Sequence, residues 1–561
     1  MAASFVEERI AASRGELQTT PVRFFLQRAV EYGGVLALIP CLIQQGLLSY
    51  KHHYTGLKKG YYNLQCIVLC LALMYLCRIK NPEQLKQHKS GELGKLMGLD
   101  RVPETRCLRS KVKQIVRQEK ATPWNQTLSE QWIGEQDEPY IYYIDGHVNV
   151  YNGYKARLGK KHIARQKLCL PGISEFWVHN RQGLPYMVVT GEVNEKLIEA
   201  LTEKIIPEIK QLSSTAERRR RMEADDEEPL CVIVFDREAW SPAFFKQLWQ
   251  THRIAVLTYR KNVTDKWAET EFSEHSVGVD QRKVTMPLCE KEFVHSDFAM
   301  REIRKLTDTG HQTSIITTYR KMEMPQLAYH MFSRWSQENF FWYMRRDYAL
   351  DMIPEYTVYQ LDGRHKVVNP MYSKLTNRLK TIREKIQRRR ARLHQLEEQI
   401  SDSEDLPDKK TVQSQAKLKE ELADLQDDEN QLVEERKNHS YYIHIEDMPE
   451  QYKYNKLNDE AKHFQNIIKM ICYRAETALG ELLSSDYKKK QDEMRMFVKQ
   501  IVQTKADIIP DYENKTLTVR LYSLARPRDN EEVEKIFNVL NQSETQYPGT
   551  DLVLKYEMAS F

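Results

Sequence analysis

"YIYYIDGHVNVY", from Tyr140 to Tyr151, reads as a β-strand with an aspartate at its centre. Tyr, Ile and Val favour strands, whereas aspartate does not. On a strand, residues two apart share a face, so Asp145, His147 and Asn149 point one way and Ile144 and Val148 the other. A carboxylate in that place needs a partner. The obvious one is Asp236, which ends the apolar run "LCVIVFD" (Leu230–Asp236). A short, nearly continuous apolar run is the pattern of a strand buried on both faces. The carboxyl end of such a strand is where ligands bind in open α/β sheets. A third acid, Glu338, lies in "FSRWSQENFFWYMRR", inside a helical pattern expected from about Met324 to Tyr348. On one face of that helix Arg334, Glu338 and Arg345 fall together.

The segments between these acids complete a mixed α/β pattern. "SEFWVHN", the turn "RQG" and "LPYMVVTGE" predict a hairpin. "NEKLIEALTEKIIPEIKQL" is an amphipathic helix, and "SPAFFKQLWQTH" is a helix with Ser241 as its N-cap. "RIAVLTY" is a second buried strand. Three strands, helix, strand, helix, strand is an α/β order. Residues 265–297 interrupt it with the strand-like "ETEFSEHSVGV" and "KVTMPLCEKEFV", read as a β-rich insertion, and "HQTSIITT" follows as a further strand. "RRRRMEADDEE" (Arg218–Glu228) is expected to be a solvated loop whose charges cancel.

Three carboxylates delivered by two strands and a helix can hold two divalent cations. Mg²⁺ takes oxygen ligands and keeps several waters. Two ions about 4 Å apart clamp the attacking and leaving oxygens of an in-line phosphoryl transfer. Arginines beside them suit phosphate oxygens, because the guanidinium fork is bidentate. Each acid taken alone has an ordinary reading. Asp145 caps a turn at Gly146, Asp236 pairs with Arg237 or caps the next helix, and Glu338 is an i,i+4 partner of Arg334. Their joint placement favours the metal site.

On these residues the chain resembles an insertion-sequence transposase of the DDE class, with an RNase H-like catalytic domain. It is most similar to the branch with a β-rich insertion before the catalytic glutamate. The resemblance rests on Asp145 in "YIDGHVNVY", Asp236 in "VIVFDREAWS" and Glu338 in "RWSQENFFWYM". That branch carries a helix signature of Tyr, two residues, Arg, three, Glu, six, Lys. Arg334 and Glu338 match it, Arg345 stands for the lysine, and Met331 takes the place of the tyrosine, with Tyr329 nearby. The resemblance covers about 139–350 and extends to the segment around 80–104. It implies metal-dependent strand transfer on DNA. Catalysis and metal binding would fall to Asp145, Asp236 and Glu338, with two Mg²⁺ ions for which Mn²⁺ can substitute. It also implies binding of terminal inverted repeats and target DNA, a homodimer on paired ends, and a cytoplasmic, nucleoid-associated bacterial enzyme. Phosphate contacts would come from Arg334, Arg345, Arg237 and His147.

The flanking regions set the remaining expectations. With 561 residues the chain is long enough for several domains. The expected division is 1–128 helical, 129–362 RNase H-like, 371–437 an antiparallel helical hairpin, and 438–561 a small helical and α/β module. In "SGELGKLMGLDRVPETRCLRSKVKQIV" a helix from Gly91 to Met97, a turn through Gly98 and Pro103, and a second helix predict a helix-turn-helix at about 91–116. Leu108, Val112 and Ile115 would face inward, and Arg106, Arg109 and Lys113 would face DNA or water. Heptad-like Leu375, Leu379, Ile382, Ile386, Leu393, Leu396 and Ile400 predict one arm of the hairpin, with Arg389 interrupting the seam, and Leu418, Leu422, Leu425 and Leu432 predict the other. Trp335, Phe340 and Trp342 either stack on a flipped base or pack their helix. The net charge of +5 does not by itself imply nucleic acid. The cysteines, Cys66, Cys70 and Cys77 among them, make no C-x-x-C pair and read as free thiols of a reducing compartment. The apolar run Cys66 to Cys77 is too short for a membrane span of about 20 residues. Three rival functions share these features: an inactive DNA-binding derivative, an RNase H-like nuclease on another substrate, and a structural protein organised by the hairpin.

Overall fold

The computed structural model describes residues 5–134, 140–163, 166–279, 282–354, 357–401, 409–487 and 491–559. Contacts divide the chain into one compact unit of residues 1–153, 160–355 and 458–561, and a second of 154–159 and 356–457.

The first unit opens with α1 (Val6–Ser13), β1 (Gln27–Val30), α2 (Ile39–Gln44) and α3 (Leu64–Leu76). The Asn63 side chain caps α3 by accepting from the Cys66 N–H. α3 is buried almost throughout, as an all-apolar helix must be. Next come α4 (Ser90–Lys95), α5 (Thr105–Val116) and α6 (Ala121–Gly134). Leu108, Val112 and Ile115 of α5 face inward, and Arg106, Arg109 and Lys113 are exposed. The helix expected over Gly91–Met97 is the shorter α4.

A long sheet follows. Its strands begin with β2 (Ile141–Val150), β3 (Lys160–Ile163), β4 (Leu168–His179) and β5 (Pro185–Glu192). After α7 (Leu197–Ala200), α8 (Ile206–Ser213) and α9 (Ala216–Ala224) come β6 (Cys231–Phe235), α10 (Pro242–His252) and β7 (Ile254–Tyr259). β2 lies parallel to β6, and β6 parallel to β7. β4 is antiparallel to both β2 and β5. All of β6 is buried, which explains its unbroken apolar run. Ser241 caps α10, accepting from the Phe244 N–H. The arginine run expected to be a loop is instead partly the helix α9. Arg218 is buried there and donates to the Leu230 carbonyl and to Glu228.

The segment read as an insertion does not form a separate module. β8 (Ser273–Val279), β9 (Arg282–His295), β10 (Phe298–Leu306) and β11 (Gln312–Thr317) extend the same sheet in the order β7-β11-β10-β9-β8. The single helix expected over Met324–Tyr348 is two, α11 (Met324–Phe332) and α12 (Trp335–Tyr348). At the break the Ser333 hydroxyl and backbone N–H both donate to the Tyr329 carbonyl, and the Ser336 hydroxyl donates to the Ser333 and Arg181 carbonyls.

The second unit pairs β12 (Val358–Gln360) with β15 (Asn455–Leu457) and β13 (Lys366–Val368) with β14 (Tyr442–His444). Between them run α13 (Pro370–Ser401) and α14 (Lys409–Lys437). Leu375, Leu379 and Leu432 bury against one another. Arg389, the residue that interrupts the seam, reaches across to Glu421 at 2.7 Å, and Arg383 reaches Glu429 at 2.7 Å. The Ile400 side chain and residues 402–408 lie outside the described residues.

The chain then returns to the first unit with α15 (Glu460–Glu481), α16 (Gln491–Gln503), β16 (Ala506–Asp511), β17 (Thr516–Leu521), α17 (Pro527–Gln542) and β18 (Val553–Met558). This corrects the expected division. β1 pairs with β16 and completes a sheet of order β1-β16-β17-β18, so neither 1–128 nor 438–561 stands as a module of its own. α15 is buried along most of its length and packs on α2, α3, α6 and β5.

Candidate active site

Parallel pairing brings the two aspartates side by side. Ile144 of β2 pairs with Phe235 of β6, and the next residue on each strand is Asp145 and Asp236. The backbone N–H of Gly146 donates to Asp145 at 3.0 Å, and that of Arg237 donates to Asp236 at 2.7 Å. Between the carboxylates stands Arg334, at the start of α12. One of its terminal nitrogens is 3.6 Å from Asp145 and the other 3.8 Å from Asp236. Arg334 is thus a bridge between strands, more than a helical partner of Glu338. Its Nε is buried with no hydrogen-bond partner.

Asp145 keeps 28% exposure, yet the dense protein around it pushes its carboxyl up to about 6. Burial is the chief cause. Arg334 and the Gly146 N–H oppose it, and the neighbouring Asp236 adds to it. One guanidinium therefore does not fully compensate the two acids.

Glu338 lies one turn beyond Arg334, exposed, in the first turn of α12 where the helix dipole favours an acid. Tyr259 shows that it belongs to the same neighbourhood. Tyr259 ends β7, next to β6, and its hydroxyl is raised above its ordinary range, first by burial. The charges acting on it are those of Arg334, Asp236, Arg237 and Glu338. Tyr259 was not singled out from sequence. Its signal is its place at the end of a buried strand, one position past Thr258, the partner of Phe235. Among the described residues, no three of His, Cys, Asp and Glu form a group close enough to hold a metal ion.

The other expected site residues divide. Arg237 is exposed, 3.9 Å from Asp236. His147 is buried, its Nε2 donates to the Asp351 carboxylate at 2.6 Å, and its ring stacks on Phe341. Arg345 turns back on its own helix, its Nε donating to the Phe341 carbonyl. Arg109 pairs with Glu83 at 2.6 Å on the surface. Phe340 is buried against Trp177 and His179, so it packs α12. Trp342 is exposed, with the Arg346 guanidinium 4.0 Å over its ring. The Trp335 side chain lies outside the described residues.

Behind Glu338, α12 is bolted down by buried charge. Arg78 donates to Glu476 at 2.6 Å and to the Tyr343 hydroxyl at 2.7 Å, and lies 3.4 Å from Asp347. Tyr343 in turn donates to Glu476 at 2.9 Å. Past the end of the helix, the Ala349 and Leu350 carbonyls accept from Lys469 and Lys462 of α15. Lys462 also lies 3.6 Å from Glu175, the buried cross-strand neighbour of His147. Burial alone would raise the Glu175 carboxyl, but Lys462 together with neighbouring polar groups, among them Asn466, which donates to it at 2.7 Å, more than offset this and hold it below its ordinary value.

A family model described as "Transposase protein" matches residues 2–560. The chain belongs to that family. Membership makes this transposase chain an enzyme that acts on DNA and binds it. Neither the curated proteins nor the solved structures offer a match to it. Among the described residues of the transposase, no helix is long and apolar enough to cross a membrane. All nine cysteines are free.

Proposed function

We propose that this transposase is a metal-dependent DNA strand transferase of the DDE class, built on an RNase H-like domain. The observation that carries the reading is the bridge of Arg334 between Asp145 and Asp236, with Glu338 one turn further on. The strand order supports it. β4 lies antiparallel to β2 with β5 antiparallel beyond it, parallel β6 and β7 follow on the other side of β2, and the aspartates sit at the ends of adjacent parallel strands.

The donor set is all carboxylate oxygen, which suits Mg²⁺, and the guanidinium already marks a place for positive charge between two acids. Asp145 and Asp236 would hold the metal, and Glu338 would join them as the third carboxylate only by closing on the pair, since the three do not form a metal-sized group as they stand. When bound, it would activate an attacking water or 3′-hydroxyl and stabilise the departing oxyanion. Arg334, planar and two-armed, is suited to bind the oxygens of the scissile phosphate, and exposed Arg237 adjoins it. The buried ion pairs behind α12 would hold the helix that carries Glu338. Arg106, Arg109 and Lys113 on α5 would position the DNA backbone. The substrates would be the element's terminal inverted repeats and a target duplex, with two copies pairing the ends.

The test uses labelled duplexes carrying the two sequences that flank the coding region. Asp236→Asn should keep end binding and abolish Mg²⁺-dependent cleavage. Cleavage that survives the substitution sinks the site assignment. Joining of 3′ ends to a second duplex separates a transposase from a nuclease that only hydrolyses.

A further inference from the structure

We infer that α13 carries a second DNA-binding surface, a basic stripe that grips the phosphate backbone of a duplex without reading its bases. The inference rests on the proposed DNA chemistry only for the identity of the polyanion.

Lys374, Arg378, Lys385, Arg388 and Arg392 recur at steps of three, four and seven along α13, which sets them on one side of the helix. Thr381 fills the remaining place in that rhythm. All these basic side chains are exposed. From Lys374 to Arg392 the stripe runs roughly 27 Å at 1.5 Å per residue.

The same helix shows what a spent cation looks like. Arg383 and Arg389 point across the hairpin and pair with Glu429 and Glu421. Among the described residues, no carboxylate makes an ion pair with Lys374, Arg378, Lys385 or Arg388. Arg392 reaches Glu421 only as a more distant charge behind Arg389. Between Pro370 and Gln395 the lone acid of α13 is Glu384.

The chemistry of the face selects its partner. Asn377, Thr381 and Gln395 lie among or beside the cations, and the apolar residues Leu375, Leu379 and Ile386 are turned into the hairpin and buried. From Lys374 to Arg392 the face shows no large exposed apolar side chain, the nearest being Met371 one turn before it, so it has little to insert into a lipid surface. It also lacks the aromatic or aliphatic anchors of a protein interface. A line of cations with polar side chains between them suits a regularly charged strand, and counterion release supplies the affinity. α14 carries Glu420, Asp424, Asp427 and Asp428, so only the α13 side of the hairpin would approach a duplex.

The experiment uses the full chain and a fluorescent duplex of arbitrary sequence, without divalent metal, between about 50 and 200 mM salt. Omitting metal makes the result independent of whether the acids cut. The variant R378Q/K385Q/R388Q/R392Q is compared with R383Q/R389Q, which removes the paired cations of the same helix. Helical content by circular dichroism checks that both are folded. The stripe variant should bind more weakly, and its log–log salt dependence should flatten by roughly 3 to 4, at about 0.9 for each phosphate that is no longer neutralised. The paired-cation variant should keep the parental slope. Equal flattening in both would reduce the effect to net charge and overturn the stripe. An unchanged slope, with loss of self-association in sedimentation, would give the face to the acidic α14 of a second copy and also overturn it.

Discussion

At the scale of residues, the centre of this protein is an electrostatic mismatch. Asp145 and Asp236 share one guanidinium, and Asp145 carries a carboxyl raised from 3.8 to about 6. Because the folded value lies above the ordinary one, the folded chain holds that proton more tightly than the unfolded chain. Its contribution to stability is present below about pH 4 and is lost as pH rises through about 6. Asp145→Asn should therefore stabilise the metal-free protein by about 1 to 3 kcal/mol at pH 8 and have little effect at pH 4. Thermal unfolding at the two pH values checks this, and equal shifts at both would contradict it. Arg334→Gln should do the reverse. It leaves two adjacent carboxylates without their cation, lowers the melting temperature above pH 6, and should be relieved when combined with Asp145→Asn. Both aspartates were legible in the sequence because each interrupts or ends a strand pattern. The bridging role of Arg334 was not, since helical spacing links it only to Glu338, and the strand ends reach it through tertiary folding. Tyr259 escaped notice for the same reason.

At the scale of elements, α12 matters most. Its seat is a set of buried polar groups: Arg78, next to Cys77, paired with Glu476 of α15, and Lys462 and Lys469 of α15, which donate to the carbonyls beyond its end. Removing one member leaves the others buried and uncompensated. Glu476→Gln should cost about 3 to 5 kcal/mol in denaturant unfolding. The double variant with Arg78→Met should recover part of that loss, and additive losses would argue that the two do not act as a pair. Unbroken apolar runs exposed the buried strands β6 and β7, and helical periodicity exposed the amphipathic face of α5, because burial leaves its mark on residue type. The break between α11 and α12 left no such mark. It falls at Ser333 and Ser336, whose hydroxyls bond to backbone carbonyls there, and both look ordinary in a string of letters.

At the scale of the whole molecule, sequence order misleads about neighbourhood. β1 pairs with β16, and Gly34 lies so close to α16 that a Cβ there would strike the Ile501 carbonyl oxygen. Gly33 meets Ala506 in the same way. Gly34→Ala should therefore destabilise the first unit as a whole, seen as a lower melting temperature with no change confined to one segment. A fragment of residues 1–355 should lack a cooperative transition alone and gain one when residues 458–561 are supplied in trans. Independent folding of the fragment would contradict this. These pairings were illegible because nothing local to Gln27–Val30 announces a partner so far along the chain. They carry a consequence for biosynthesis. The ribosome releases Asp145, Asp236 and Glu338 well before it has made α15 and β16, the pieces that seat the helix and close the smaller sheet. An unfinished nascent polypeptide thus carries every acid of the proposed site but not its mounting, and should be unable to act on DNA until α15 and β16 have been made.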